Sequence, residues 1–161
     1  MLFLKKINAI LNNNRFREYL NEINKLEKQR EFCKHDISHL LDVARIAYII
    51  TLEKDVDEKK EVIYAAALLH DIGKGIQYEK GIPHELASAK LAADILEECG
   101  FSGDEKNRII DIILNHRKKD PDNLLNSIFY SSDKFSRNCF ICRAFSECNW
   151  PDEKKNFIIK Y

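Results

Sequence analysis

Apolar residues return every three or four positions along most of this chain, and they never alternate with a sustained period of two. That is the pattern of helices with one buried face rather than of half-buried strands. Residues 14–30 carry Phe16, Tyr19, Leu20, Ile23 and Leu26 at helical spacing, with charges filling the other face. Residues 38–54 carry Leu40, Leu41, Val43, Ala44, Ile46, Ala47, Ile49 and Ile50, dense enough to predict a mostly buried helix. Asp57 is a good N-cap for a helix from Glu58 through His70, after which Gly73 and Gly75 loosen the chain. Pro83 can open a helix that runs to Glu98 and stops at Gly100. "SGDE" at Ser102–Glu105 is a capping-box pattern for a helix ending near His116. Asp120 and Pro121 repeat the cap-then-proline logic for a helix reaching about Lys134. After Arg137 the pattern becomes irregular, and residues 152–160 read as either helix or extended chain. The expected fold is all-α, about seven helices around one core. Residues 1–161 are expected to form a single domain: N-terminal helices (1–33), a core (34–137) and a tail (138–161) packed on it.

Composition narrows the functional classes. The chain has 161 residues and is 45% hydrophobic, enough for one ordinary domain with a real core. Twenty-six basic and 26 acidic residues give a formal net charge of +0. No long-range field draws it to nucleic acid or an anionic membrane, so neither is an expected partner. "MLFLKKINAI" lacks the order of a signal peptide, and no apolar run approaches a membrane span. A cytoplasmic location is expected, where five cysteines read as thiols or metal ligands rather than disulfides.

The candidate chemistry lies at helix ends. "AAALLHDIGKG", Ala65–Gly75, finishes a buried apolar run with His70 and Asp71, two side chains that are costly to bury without partners. His39 falls in the first turn of its helix, His84 opens another, His116 closes a third, and Asp133 lies near the end of a fourth. Helix ends can converge at one pole of a bundle. Imidazole and carboxylate together bind Zn, Fe, Mn or Ni, and a bound ion offsets the burial cost. A lone buried histidine is usually just a hydrogen-bonded core residue; the joint pattern is harder to dismiss.

The order His39, His70–Asp71, Asp133, with "HDISHLLDVARIA" and "AALLHDIGKG" around the first three, resembles the metal-dependent HD-domain phosphohydrolases over roughly Lys34 to Arg137. The resemblance implies that His39, His70, Asp71 and Asp133 hold one divalent metal. It also implies that His84 and His116 resemble the extra ligands of the two-metal branch, with Asp71 bridging. That branch includes HD-GYP-type phosphodiesterases and YqeK-like dinucleoside tetraphosphate hydrolases. No Gly-Tyr-Pro element follows "HDIGK", and Arg117 rather than a second histidine follows His116, so the YqeK-like arrangement is the better match. The implied activity is hydrolysis of a phosphoester or phosphoanhydride in a nucleotide or other small phosphorylated metabolite, by attack of a metal-bound water. Asp71 and Lys74 are the expected catalytic residues. Lys74, His35 and Arg117 are the expected substrate contacts, with His35 alternatively a proton-transfer group. In "HDxxH" the second histidine is the ligand in smaller HD hydrolases, which assigns His39 to metal and leaves Asp36 a capping role. A non-catalytic nucleotide-binding or metal- or redox-sensing HD module is the alternative.

"NCFICRAFSECNW" spaces Cys139, Cys142 and Cys148 as C-x2-C-x5-C, one ligand short of a closed zinc or iron–sulfur site. Cys33 is the candidate fourth. It lies six residues before His39, and Cys139 lies six after Asp133, so the shared metal would bring both within reach. The alternatives are structural zinc, an iron–sulfur cluster, or four reduced thiols. Cys99 reads as a packed thiol and Trp150 as an apolar plug for the tail.

Overall fold

The computed structural model describes residues 4–161; Met1–Phe3, the start of the segment weighed above as a leader, lie outside the described residues. Among the described residues there are eight α-helices and no strands: α1 (Lys5–Asn12), α2 (Asn14–Leu26), α3 (Ile37–Glu53), α4 (Lys60–Leu69), α5 (Lys74–Lys80), α6 (His84–Glu98), α7 (Gly103–Asn115) and α8 (Leu124–Phe135). Three short 3-10 turns come after α8, at Cys139–Ile141, Phe145–Glu147 and Asp152–Lys154. None of the helices is long and apolar enough to cross a membrane.

The bundle forms around α4. Its residues Ala65, Ala66, Ala67, Leu68 and Leu69 are all fully buried. The three alanines let α3 and α7 approach closely, while each buried leucine contributes roughly 1.5–3 kcal/mol by leaving water. α3 packs on α4 and α8, and α7 packs on α4 and α6, so four helix ends meet beside the C-terminus of α4.

Local chemistry sets the element boundaries. Asp36 caps α3 by accepting from the His39 backbone N–H, and Ser102 with Glu105 closes the expected capping box. Three boundaries differ from the sequence reading. α8 is capped by Asn123, whose side chain accepts from the Asn126 N–H, rather than started by Asp120–Pro121. Helix α4 begins after Lys59 rather than after Asp57. Above all, the stretch after Gly73 is not loose: it turns at once into α5, ended by Gly81 at φ 70°. The two glycines disguise a helix that packs against α2 and α6.

Candidate metal centre and its cavity

Asp71 is the centre of the site. It is 3% exposed, and its two carboxylate oxygens face different groups. Oδ2 lies 3.0 Å from His70 Nε2 and 3.4 Å from His39 Nε2, while Oδ1 lies 3.1 Å from His84 Nε2 and 3.9 Å from His116 Nε2. Asp133 Oδ1 completes the first group, 3.3 Å from His39 Nε2 and 3.9 Å from His70 Nε2. Two sets of donor atoms thus lie within 4.8 Å of one another: His39, His70, Asp71 and Asp133, and Asp71, His84 and His116. All six candidate metal residues are brought together.

The histidine tautomers are set from behind. His70 Nδ1 donates to the Ala67 carbonyl at 2.7 Å and His116 Nδ1 to the Ile113 carbonyl at 2.6 Å. Each uses a carbonyl that the end of its helix leaves free. His84 Nδ1 donates to Gln77 Oε1 at 2.6 Å. Ser136 Oγ donates to the Asp133 carbonyl at 2.7 Å, so it accepts from His39 Nδ1 at 3.0 Å. All four rings therefore turn Nε2 toward the two carboxylates. Such backing bonds fix the orientation of metal-binding imidazoles.

Two further features fit a divalent metal. His70 Nε2 is buried without a hydrogen-bond partner. His84 Nε2 and His116 Nε2 face each other at 3.1 Å, although both rings already spend their Nδ1 proton elsewhere. Two lone pairs at that distance call for a shared cation. The electrostatics agree. Burial works against ionisation of Asp71, but the positive potential of the surrounding imidazoles, His70 first and then His35, holds its carboxyl well below the usual range. Burial and the charge of His70 push His116 down to about 3, leaving it a neutral donor. The C-terminal ends of α4 and α7, toward which their carbonyls point, also favour positive charge here. Arg137 competes for part of this role: its Nη2 donates to His39 Nε2 at 3.0 Å.

The centre forms the floor of a cavity of about 460 Å³. Eight lysines and arginines line it, against only two carboxylates, Asp71 and Asp133. The neutral chain thus gathers a local excess of positive charge that its net charge conceals. Lys74 Nζ lies 4.0 Å from Asp71 Oδ1, and Arg117 lines the rim, paired with Glu85 at 3.3 Å. Trp150 also lines the cavity, half-buried, with Lys134 Nζ 5.7 Å from its ring centre.

Gly73, between Asp71 and α5, has a steric reason to lack a side chain. A Cβ there would lie 2.5 Å from the Ser88 backbone nitrogen and 2.7 Å from the His84 carbonyl oxygen. The backbone contact places α6, and with it His84. Gly73→Ala should lower the melting temperature by several degrees and weaken the second metal more than the first. Calorimetry and metal titration would check this; an unchanged second affinity would refute it.

One buried cluster beside the centre escaped the sequence reading. Glu27, at the end of α2, is 2% exposed. Its Oε1 accepts from His35 Nδ1 at 2.5 Å and from the Tyr78 hydroxyl at 2.6 Å, and its Oε2 accepts from the His35 backbone N–H at 2.7 Å. Burial opposes the charge on Glu27, but its bonds to His35 and Tyr78 outweigh it and hold the carboxyl at about 2. The arrangement leaves His35 Nε2 3.9 Å from Asp71 Oδ2, on the cavity wall. The signal was present: Phe16, Leu20, Ile23 and Glu27 share one helical face, so Glu27 takes the inward place. Leu26, expected on that face, is 46% exposed.

Cys33, Cys139, Cys142 and Cys148 also line the cavity, as free thiols. Among the described residues no three of their sulfurs gather within 4.8 Å. Cys99 is a buried thiol away from this group.

Comparisons with known proteins agree with this geometry. The HD domain family model matches residues 36–138. A protein of Clostridium beijerinckii described as uncharacterized is 46% identical over 158 residues, covering 98% of this chain and all of its own length. A solved structure described as a predicted HD superfamily hydrolase, from an uncultured Thermotogales bacterium, superposes with a TM-score of 0.62 at 28% identity; the match covers 88% of this chain and 81% of that one. Ribonuclease Y of Oleidesulfovibrio alaskensis is 28% identical over 119 residues, 74% of this chain but only 21% of that enzyme. The chain belongs to the HD-domain family, and its His/Asp clusters make it a candidate two-metal hydrolase of that family.

Proposed function

We propose that this protein is a metal-dependent phosphohydrolase acting on a nucleotide or another small phosphorylated metabolite. The observation that carries the reading is the division of the Asp71 carboxylate between two histidine sets, at the floor of a cation-lined cavity. His39, His70, Asp71 and Asp133 would hold one divalent ion, and Asp71, His84 and His116 a second. Bound there, Fe, Mn, Ni or Zn would supply Lewis acidity and make water a better nucleophile. The chain's own groups supply the rest. Lys74 neutralises a phosphoryl oxygen as charge builds on it. His35, held rigid by Glu27 and Tyr78, offers Nε2 to the substrate. Arg117 at the rim meets a more distal part, such as a further phosphate. The whole chain acts as one unit in this reading, and the similarity to enzymes named Ribonuclease Y keeps phosphodiesters within the substrate class.

Protein purified without oxygen should hydrolyse p-nitrophenyl phosphate or bis(p-nitrophenyl) phosphate when supplied with Mn, Fe or Ni, and lose the activity to a chelator. If metal binds and nucleotides bind but neither ester turns over with any metal, the chain is a regulatory HD module instead.

A further inference from the structure

The hydrolytic reading leaves the cysteine-rich tail without a purpose, yet the fold spends much of its C-terminal structure on placing it. Cys33 lies in the loop between α2 and α3, more than 100 positions before Cys139. One partly buried contact ties the stretches of chain carrying them: Arg137 Nη1 donates to the Lys34 carbonyl at 2.5 Å. The two 3-10 turns set the other sulfurs. The Cys142 N–H bonds the Cys139 carbonyl and the Cys148 N–H bonds the Phe145 carbonyl, so each turn hands on directly to a cysteine. Asn156, 5% exposed, anchors the end of the tail by donating to the Phe135 carbonyl at 2.9 Å.

Four thiols on one polar wall are unusual as packing. A reduced cysteine without a chemical role is normally a small buried hydrophobe. Here only Cys139 is buried; Cys33, Cys142 and Cys148 are half-buried and face the cavity. Cations share this wall. Arg30, Arg137, Lys154 and Lys155 line the same cavity. Arg137 is itself 8% exposed, and its Nε has no hydrogen-bond partner among the described residues. An unpaired buried guanidinium N–H is costly unless an anion lies close. Cys33 already feels this environment: burial pushes its thiol up, Arg137 draws it down, and the charges of Cys139, Cys142 and Cys148 push it up again.

We propose that Cys33, Cys139, Cys142 and Cys148 are the four ligands of an iron–sulfur cluster that forms one wall of the cavity above the His/Asp centre. The sulfur spacing favours one of the two metal groups. One zinc ion draws its four sulfurs to within about 4 Å of each other, whereas here no three of them lie within 4.8 Å among the described residues. A cluster interposes several irons and sulfides and holds its cysteines further apart. On binding, each thiol loses its proton, and the anionic cluster meets Arg137 and its cationic neighbours. The cluster also ties the tail to the loop before α3, the helix that carries His39.

The test uses the full chain, purified without oxygen and reconstituted with ferric iron, sulfide and a thiol reductant. Acid-labile sulfide is the deciding readout, because iron alone could also enter the His/Asp centre. Stoichiometric sulfide with broad visible absorption is expected in the native chain. Both should fall at least fivefold in Cys142→Ser and in Cys148→Ser, with helical circular dichroism unchanged. Asp71→Ala should keep its sulfide, so the cluster stands or falls independently of hydrolysis. Zinc bound without sulfide, no sulfide uptake by the native chain, or full sulfide in both serine variants would each overturn the assignment.

Discussion

Asp71→Ala should abolish turnover, lowering it by on the order of 10³-fold or more, about 4 kcal/mol of lost transition-state stabilisation. It should also empty both halves of the centre together. The reason is geometric. Oδ2 serves the His39/His70 side and Oδ1 the His84/His116 side, so one substitution removes a ligand from each. No other residue of the six has this property, because each of the others faces one set alone. The variant should still fold. Its neighbours are packed by the alanines and leucines of α4, and deleting a buried carboxylate relieves a desolvation penalty as well as removing bonds. Element-resolved metal analysis beside circular dichroism checks the claim. A folded Asp71→Ala protein that holds both metals and retains full activity would end the bridging assignment, and the hydrolytic reading with it.

The helices were mostly legible because burial writes itself into periodicity. The dense apolar run before Lys54 and the "SGDE" box before α7 needed no tertiary information. The errors came where local chemistry was ambiguous. Gly73 looked like a breaker, but its glycine answers to the backbone of α6, a contact between segments that spacing cannot show. Asp120–Pro121 had the form of a helix start, yet Asn123 closed the capping bond. At the site, the histidines and aspartates were individually unremarkable. Their order along the chain and the family resemblance singled them out, whereas the division of Asp71 between two sets is visible only in three dimensions. Glu27 shows the complementary case: a carboxylate in a helix's apolar register was in plain view. What the sequence lacked was its partner Tyr78, 51 positions away. Arg137 was likewise read only as the point where the helical pattern ends, although its guanidinium touches His39 and the Lys34 carbonyl at once.

His116→Ala and His84→Ala should each produce a one-metal protein. Metal content should fall from about two ions per chain to about one, and turnover by roughly 10²-fold, because a two-metal clamp loses one of its ions while the other still polarises the phosphoryl group. The ion that stays is the one addressed by His39, His70, Asp71 Oδ2 and Asp133, a set that neither substitution touches. The pair of variants is needed because the two rings are built in differently. His116 Nδ1 satisfies the Ile113 carbonyl, so its removal strands a buried acceptor at a cost of about 1–3 kcal/mol. His84 Nδ1 bonds only the Gln77 side chain, which can turn elsewhere. A stability defect confined to His116→Ala, with the same metal count and activity in both, separates the loss of a ligand from the loss of a helix-end bond. His39→Ala is the contrast: it strikes the first set and should leave less activity than either. Should His84→Ala and His116→Ala both retain two ions, the second group of donors does not bind metal, and the 3.1 Å approach of their Nε2 atoms must instead be bridged by a proton.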